Sequence, residues 1–156
     1  MGGIRYGGIL ISKIHQLSGR IFDNMLKGRH IDLNPAQGRI LFALWERDSI
    51  PIHELARQTA LTRSTLTRML DRLEASGHVR REGIDGDRRQ VLVRLTERSR
   101  TMSGEYREVS VAMAELFYQG FTELEIEECE RYLRRILRNL AAAEDQTTSE
   151  QDRTTP

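Results

Sequence analysis

From residue 8 to about residue 29, apolar side chains return every three or four positions. Leu10, Ile14, Leu17, Ile21 and Met25 form one stripe, with Ile11, Phe22 and Leu26 beside it. That spacing predicts a long amphipathic helix with an apolar face too broad to cover unaided. Asn34-Pro35 then predicts a cap followed by proline at the first position of a second helix. Its apolar side is Ile40, Leu41, Leu44 and Trp45, and Asp48-Ser49-Ile50-Pro51 closes it. His53 to Gln58 predicts a short helix with Leu55 and Ala56 inward, and Thr59-Ala60-Leu61 a break. Thr62 is an N-cap residue for a further helix from Arg63 to Ser76, which Gly77 ends where a left-handed residue is wanted. Leu66, Met69, Leu70 and Leu73 give that helix a core face. Ser64, Thr67, Arg68 and Asp71 give it a polar one, with Arg72 at the edge.

After Gly77 the period changes. His78-Val79-Arg80-Arg81 and Val91-Leu92-Val93-Arg94-Leu95 predict two short strands, joined by a glycine-, aspartate- and arginine-rich tip from Glu82 to Gln90. Thr96 caps the next helix, which contains Met102, Tyr106, Val109, Met113, Leu116 and Phe117 and is interrupted at Gly120. Thr122-Glu123-Leu124-Glu125 reads as a capping box. Ile126, Cys129, Leu133, Ile136, Leu137 and Leu140 form the apolar face of the final helix. From Asp145 to Pro156 no large apolar residue occurs, which predicts a disordered tail.

The fold class that follows is mainly α with a small β-hairpin. Two helices joined by a three-residue break, the second opening with hydroxyls and arginines, form a helix-turn-helix, and the hairpin behind it is a wing. Such a helix fits the major groove of double-stranded DNA, where base edges carry a readable code, and a basic hairpin tip fits the minor groove. Charge supports this placement. The formal net charge is only +1, yet residues 57–100 hold 11 Lys/Arg against 6 Asp/Glu, and residues 101–156 hold 6 against 12. The basic excess lies where phosphates would be met.

Thr62 through Arg81, then Asp85-Gly86-Asp87-Arg88-Arg89 and Val93-Arg94-Leu95-Thr96-Glu97, resembles the winged helix of MarR-type bacterial transcription regulators. The likeness extends over residues 8 to 142, resting outside the winged helix on length and pattern. Arg98-Ser99 stands where such proteins often carry a glycine, which implies a smoother entry into the following helix. The resemblance implies one domain over 8–144, with a DNA-binding winged helix at about 35–95, dimerisation helices at about 8–29 and 97–143, and a disordered tail at 145–156. It implies that Ser64, Thr65, Thr67 and Arg68 touch bases and phosphates, that Arg72 reaches a phosphate, and that Asp87 braces Arg89 in the minor groove with Arg88 near the backbone. The expected partners are double-stranded DNA, a second copy of the chain and a small aromatic or phenolic effector. The expected role is a ligand-released repressor acting as a homodimer on a pseudo-palindromic operator.

Other classes have less to stand on. There is no glycine-rich phosphate loop and no nucleophile with a base at useful spacing, so an enzyme is not expected. A winged helix used only for protein contact is the alternative, and the basic bias of residues 57–100 speaks against it. The single Cys129 excludes an intramolecular disulfide and, from its helical spacing, reads as a buried thiol. His15, His30, His53 and His78 show no ligand spacing, so no metal or cofactor is expected; for His15, on the long first helix, an ordinary core or surface role outweighs a place in an effector pocket. No apolar run reaches the roughly 18 residues of a membrane helix, and the first residues lack the layout of a secretion signal, so the cytoplasm is the expected location and no membrane contact is expected.

Overall fold

Asn34 opens the second helix of the chain by accepting the Gln37 amide at 2.9 Å, while the Gln37 side chain accepts the Asn34 amide at 3.0 Å. This reciprocal cap shows how local chemistry sets the element boundaries. A computed structural model describes the backbone of residues 5–84 and 87–154 and the side chains of residues 5–83 and 90–146. The order is α1 (Gly7–Gly28), α2 (Pro35–Glu46), β1 (Ile50–Pro51), α3 (Ile52–Thr59), α4 (Arg63–Ala75), β2 (Val79–Ile84), β3 (Asp87–Leu95), α5 (Glu97–Phe117) and α6 (Glu123–Thr154). Contacts divide the chain into two compact units, Met1–Ala114 and Glu115–Pro156, where the sequence predicts one domain over 8–144.

In the first unit Leu26, Ile40, Leu41, Leu44, Leu55, Leu66, Leu70, Leu73 and Val93 are wholly enclosed. They come from α1, α2, α3, α4 and β3, so the core is a convergence of short amphipathic faces. Only Leu26 is buried on α1, whose Leu10 and Leu17 remain 56% and 54% exposed. The three strands form an antiparallel sheet in the order β1-β3-β2. Ile50 pairs with Val93 on one side of β3, and Arg81 pairs with Val93 on the other. The sequence shows no sign of β1, because two residues are too few for an alternation and this strand exists through its partner. The hairpin is also longer than the pattern predicts: both strands extend into the expected tip, with a shift of register between Gly83 and Ile84.

One close approach requires glycine. A Cβ at Gly38 would lie 2.0 Å from the Tyr106 hydroxyl oxygen and 2.7 Å from its Cζ. Tyr106 therefore seats its ring against bare backbone of α2, with Phe22 edge-on at 5.6 Å and Trp45 tilted at 5.0 Å. Burial pushes the Tyr106 phenol up to about 12.

In the second unit Gly120 takes a positive φ of 86° and the chain turns into α6. Thr122 and Glu125 form the expected capping box, the Thr122 amide donating to Glu125 at 2.8 Å and the Glu125 amide to Thr122 at 3.3 Å. The helix runs to Thr154, so the backbone does not follow the tail predicted from Asp145 onward. Ala141-Ala142-Ala143-Glu144 are strong helix formers, and no glycine or proline intervenes before Pro156. No helix among the described residues is long and apolar enough to cross a membrane.

Candidate nucleic-acid interface

Helix α3 ends at Ala60, whose left-handed φ of 53° turns the chain sharply. Thr62 then starts α4. Its hydroxyl accepts the Thr65 amide at 3.3 Å, donates to the Thr65 hydroxyl oxygen at 2.9 Å, and lies 3.3 Å from the Ser64 hydroxyl. The Thr67 hydroxyl donates back to the Arg63 carbonyl at 2.9 Å, leaving its oxygen lone pairs outward as acceptors. Arg63, Ser64, Thr67, Arg68, Asp71 and Arg72 are all exposed, while Leu66, Leu70 and Leu73 fill the core behind them.

The far end of α4 is fastened in three ways. Gly77 takes a φ of 74° and the His78 amide reaches the Leu73 carbonyl at 2.8 Å. Arg98 donates to the Ser76 carbonyl at 2.8 Å, placing a cation at the negative end of the helix. The Thr96 hydroxyl donates to the Gly77 carbonyl at 2.6 Å, tying the start of α5 to the same corner. Beneath it His78 is buried, its Nδ1 3.0 Å from the Ser99 hydroxyl. The Ser99 carbonyl accepts the Trp45 indole N–H at 2.9 Å. Burial holds the His78 imidazole below its ordinary pKa; Arg98 adds to that effect and Asp32 opposes it.

Asp48 joins three elements. One carboxylate oxygen accepts the Ser49 and Leu95 amides at 2.7 and 2.9 Å, and the other meets Arg100 at 2.7 Å. Burial alone would raise this carboxyl, but the two amides and the guanidinium outweigh it and hold it below its usual value.

On the hairpin, Arg80 and Arg94 stand directly opposite one another. Like charges in that position repel. Glu82 relieves them by meeting Arg80 Nε at 2.8 Å and Arg94 Nε at 3.1 Å. Arg81 behaves differently. It turns toward α4 and engages both acidic residues of that helix, Asp71 at 2.8 Å and Glu74 at 2.5 Å.

Of the residues expected at the interface, Ser64, Thr67, Arg68 and Arg72 share one exposed face of α4. Thr65 is half-buried and engaged with Thr62. Asp87, Arg88 and Arg89 belong to β3, but their side chains lie outside the described residues, as does the expected Asp87–Arg89 contact. The sequence does not disclose Arg81, Asp71 and Glu74 as a group; the only signal is an acidic pair separated from an arginine by the Gly77 corner. His15 is exposed on α1, the ordinary surface role. Cys129 is half-buried, not enclosed as its spacing predicts, and lines an open cleft of about 410 Å³ in the second unit with Phe121 and Tyr132. No group of three or more metal-ligating side chains occurs among the described residues.

An αL corner between two short helices, a polar-faced second helix and an antiparallel hairpin behind it define a winged helix-turn-helix. Residues 33–91 match the model of the MarR family. The chain is 40% identical over 86 residues to the HTH-type transcriptional regulator TtmR of Methylorubrum extorquens, a match covering 55% of this chain and 43% of that one. The chain spans less than half the length of the first curated relatives it matches. Among solved structures it is similar to a mutant of E. coli MarR complexed with operator DNA, with a TM-score of 0.75, 28% identity, and coverage of 83% of this chain and 92% of that one. A MarR transcriptional regulator from Methanosarcina mazei shares the fold at a TM-score of 0.77 and 20% identity, covering 87% and 96%.

Proposed function

We propose that this chain is a sequence-specific DNA-binding transcription regulator that acts in the cytoplasm as a homodimer on a pseudo-palindromic operator. The observation that carries this reading is the outer face of α4, where Ser64, Thr67, Arg68 and Arg72 stand exposed over a filled core. Arginine and hydroxyl groups on such a face match the hydrogen-bond pattern of major-groove base edges and phosphates. Asp87, Arg88 and Arg89 would complete the surface in the minor groove. The uncovered apolar stripes of α1 and α6 support a second copy as partner, because contiguous exposed apolar patches of this kind mark association surfaces. Repression, released by a small aromatic or phenolic effector, is the mode that fits: a ligand that alters the spacing of two recognition helices disfavours DNA whose half-site spacing is fixed.

The test begins with selection of bound duplexes from a random library and continues with titrations at matched salt. Arg89→Ala should weaken the selected site by about 1–3 kcal/mol, the scale of one lost base contact. Arg72→Ala should weaken all sequences alike and reduce the salt slope by about one unit. Failure of the library to yield any enriched duplex would refute the reading.

A further inference from the structure

Helix α4 contains two acidic residues, Asp71 and Glu74, and both are held by one side chain from the root of the hairpin. Arg81 gives Glu74 its Nε at 3.0 Å and its Nη2 at 2.5 Å, while its own backbone amide donates to the other Glu74 oxygen at 3.0 Å. The same Nη2 lies 2.8 Å from Asp71 Oδ1. Glu74 is thereby fixed against β2 by three contacts. Asp71 is different: its side chain is 58% exposed and it sits on the outer face, three residues after Arg68 and directly before Arg72. Among the described residues neither Arg68 nor Arg72 has an ion-pair partner.

We propose that Arg81 is a positioning residue of the nucleic-acid surface, which holds the Asp71 carboxylate aside so that Arg68 and Arg72 remain available to phosphates and bases. This rests on the DNA-binding reading above. Without Arg81 the cation of α4 that faces Asp71 is Arg68, at the i−3 spacing that favours an ion pair, whereas the adjacent Arg72 does not face it. Asp71 then both withdraws Arg68 and presents a bare negative charge to the phosphate backbone. A planar guanidinium suits the task, since one fork reaches two carboxylates at fixed angles where an ammonium is a single point charge.

The four chains to compare are the parent, Arg81→Met, Asp71→Asn and the double variant, with Arg80→Met as the control for loss of one hairpin charge. Affinity for a selected duplex is read by fluorescence anisotropy and stability by thermal melting. Arg81→Met should bind about tenfold more weakly than Arg80→Met, a factor within reach of one uncompensated charge close to phosphates. Asp71→Asn alone should change affinity by less than about twofold, because in the parent Arg81 already holds that exposed carboxylate and solvent screens it. The double variant should recover most of the tenfold loss while melting as low as Arg81→Met. That separation of affinity from melting is not produced by a bridge that serves stability alone. Should Arg81→Met fold poorly, Arg81→Lys takes its place with a smaller loss and the same rescue. A double variant that binds no better than Arg81→Met, or an Arg81→Met that matches Arg80→Met, overturns the proposal and leaves DNA binding intact. A parent that binds no duplex overturns both.

Discussion

Leu66, Leu70 and Leu73 on α4 are completely enclosed, whereas Leu133, Ile136, Leu137 and Leu140 on α6 follow the same three- and four-residue spacing and remain 39%, 41%, 58% and 64% exposed. The two helices do not differ in pattern. They differ in what lies opposite: α4 shares a core with residues of α2, α3 and β3 in its own unit, while α6 carries an apolar stripe beyond what the second unit covers. A periodic stripe therefore states that a helix has a face to bury, and leaves open which surface buries it.

The most severe test of this contrast is deletion in the enclosed face. Leu70→Ala should lower the unfolding free energy by about 2–5 kcal/mol, as a cavity replaces a packed side chain. Urea denaturation measures it directly, and a loss under about 1 kcal/mol would show that the site collapses around the deletion.

On α6 the analogous disturbance should change association instead of the protomer. Leu137→Glu with Leu140→Glu should raise the concentration at which the chain pairs by about 100-fold or more, since carboxylates would have to be desolvated at the interface. Sedimentation velocity distinguishes the outcomes. A parent already at the mass of one copy, or a variant still at the mass of two, would remove α6 as the pairing surface. The far-UV circular dichroism of the protomer should be unchanged.

The smallest effect expected is a dependence of stability on pH that originates in the first unit. The folded His78 has a pKa below its free value of 6.5, so the unfolded chain takes up the proton first. Stability is then complete above about pH 6.5 and falls as pH drops through that value toward the folded pKa. Asp48 acts in the same direction at lower pH. Its folded pKa lies below the free value of 3.8, so its contribution is present above that value and is lost as the medium becomes more acid. Melting temperatures between pH 8 and pH 5 should decline for the parent and flatten in His78→Asn. An equal decline in the variant would place the titration elsewhere.

What the sequence disclosed was what neighbouring residues do to one another. Asn34, Thr62 and Thr122 cap helices through amides three residues away, and Gly77 and Gly120 end elements with their own positive φ. The winged helix, and the outer face that carries Ser64, Thr67, Arg68 and Arg72, were legible for this reason. Contacts between distant residues were not. Asp48 reaches Leu95 across 47 residues, and His78 meets Ser99 across 21. Nothing in the composition of either segment records those pairings, and β1 exists only through its pairing with β3. Arg81 was visible as one more basic residue of a strand; its use emerged when the Gly77 corner brought it beside Asp71 and Glu74.

The fit of Tyr106 against Gly38 has a consequence for how this sequence can drift. Alanine at 38 would collide with the phenol oxygen, and removing that oxygen is not sufficient, because Cζ and Cε2 would still lie 2.7 and 2.8 Å from the new methyl. Tyrosine and phenylalanine at 106 therefore both demand glycine at 38, while a shorter aliphatic residue at 106 releases it. The two positions form one inherited choice made twice along the chain, and their substitutions should travel together, with the residue at 106 shrinking before the one at 38 grows.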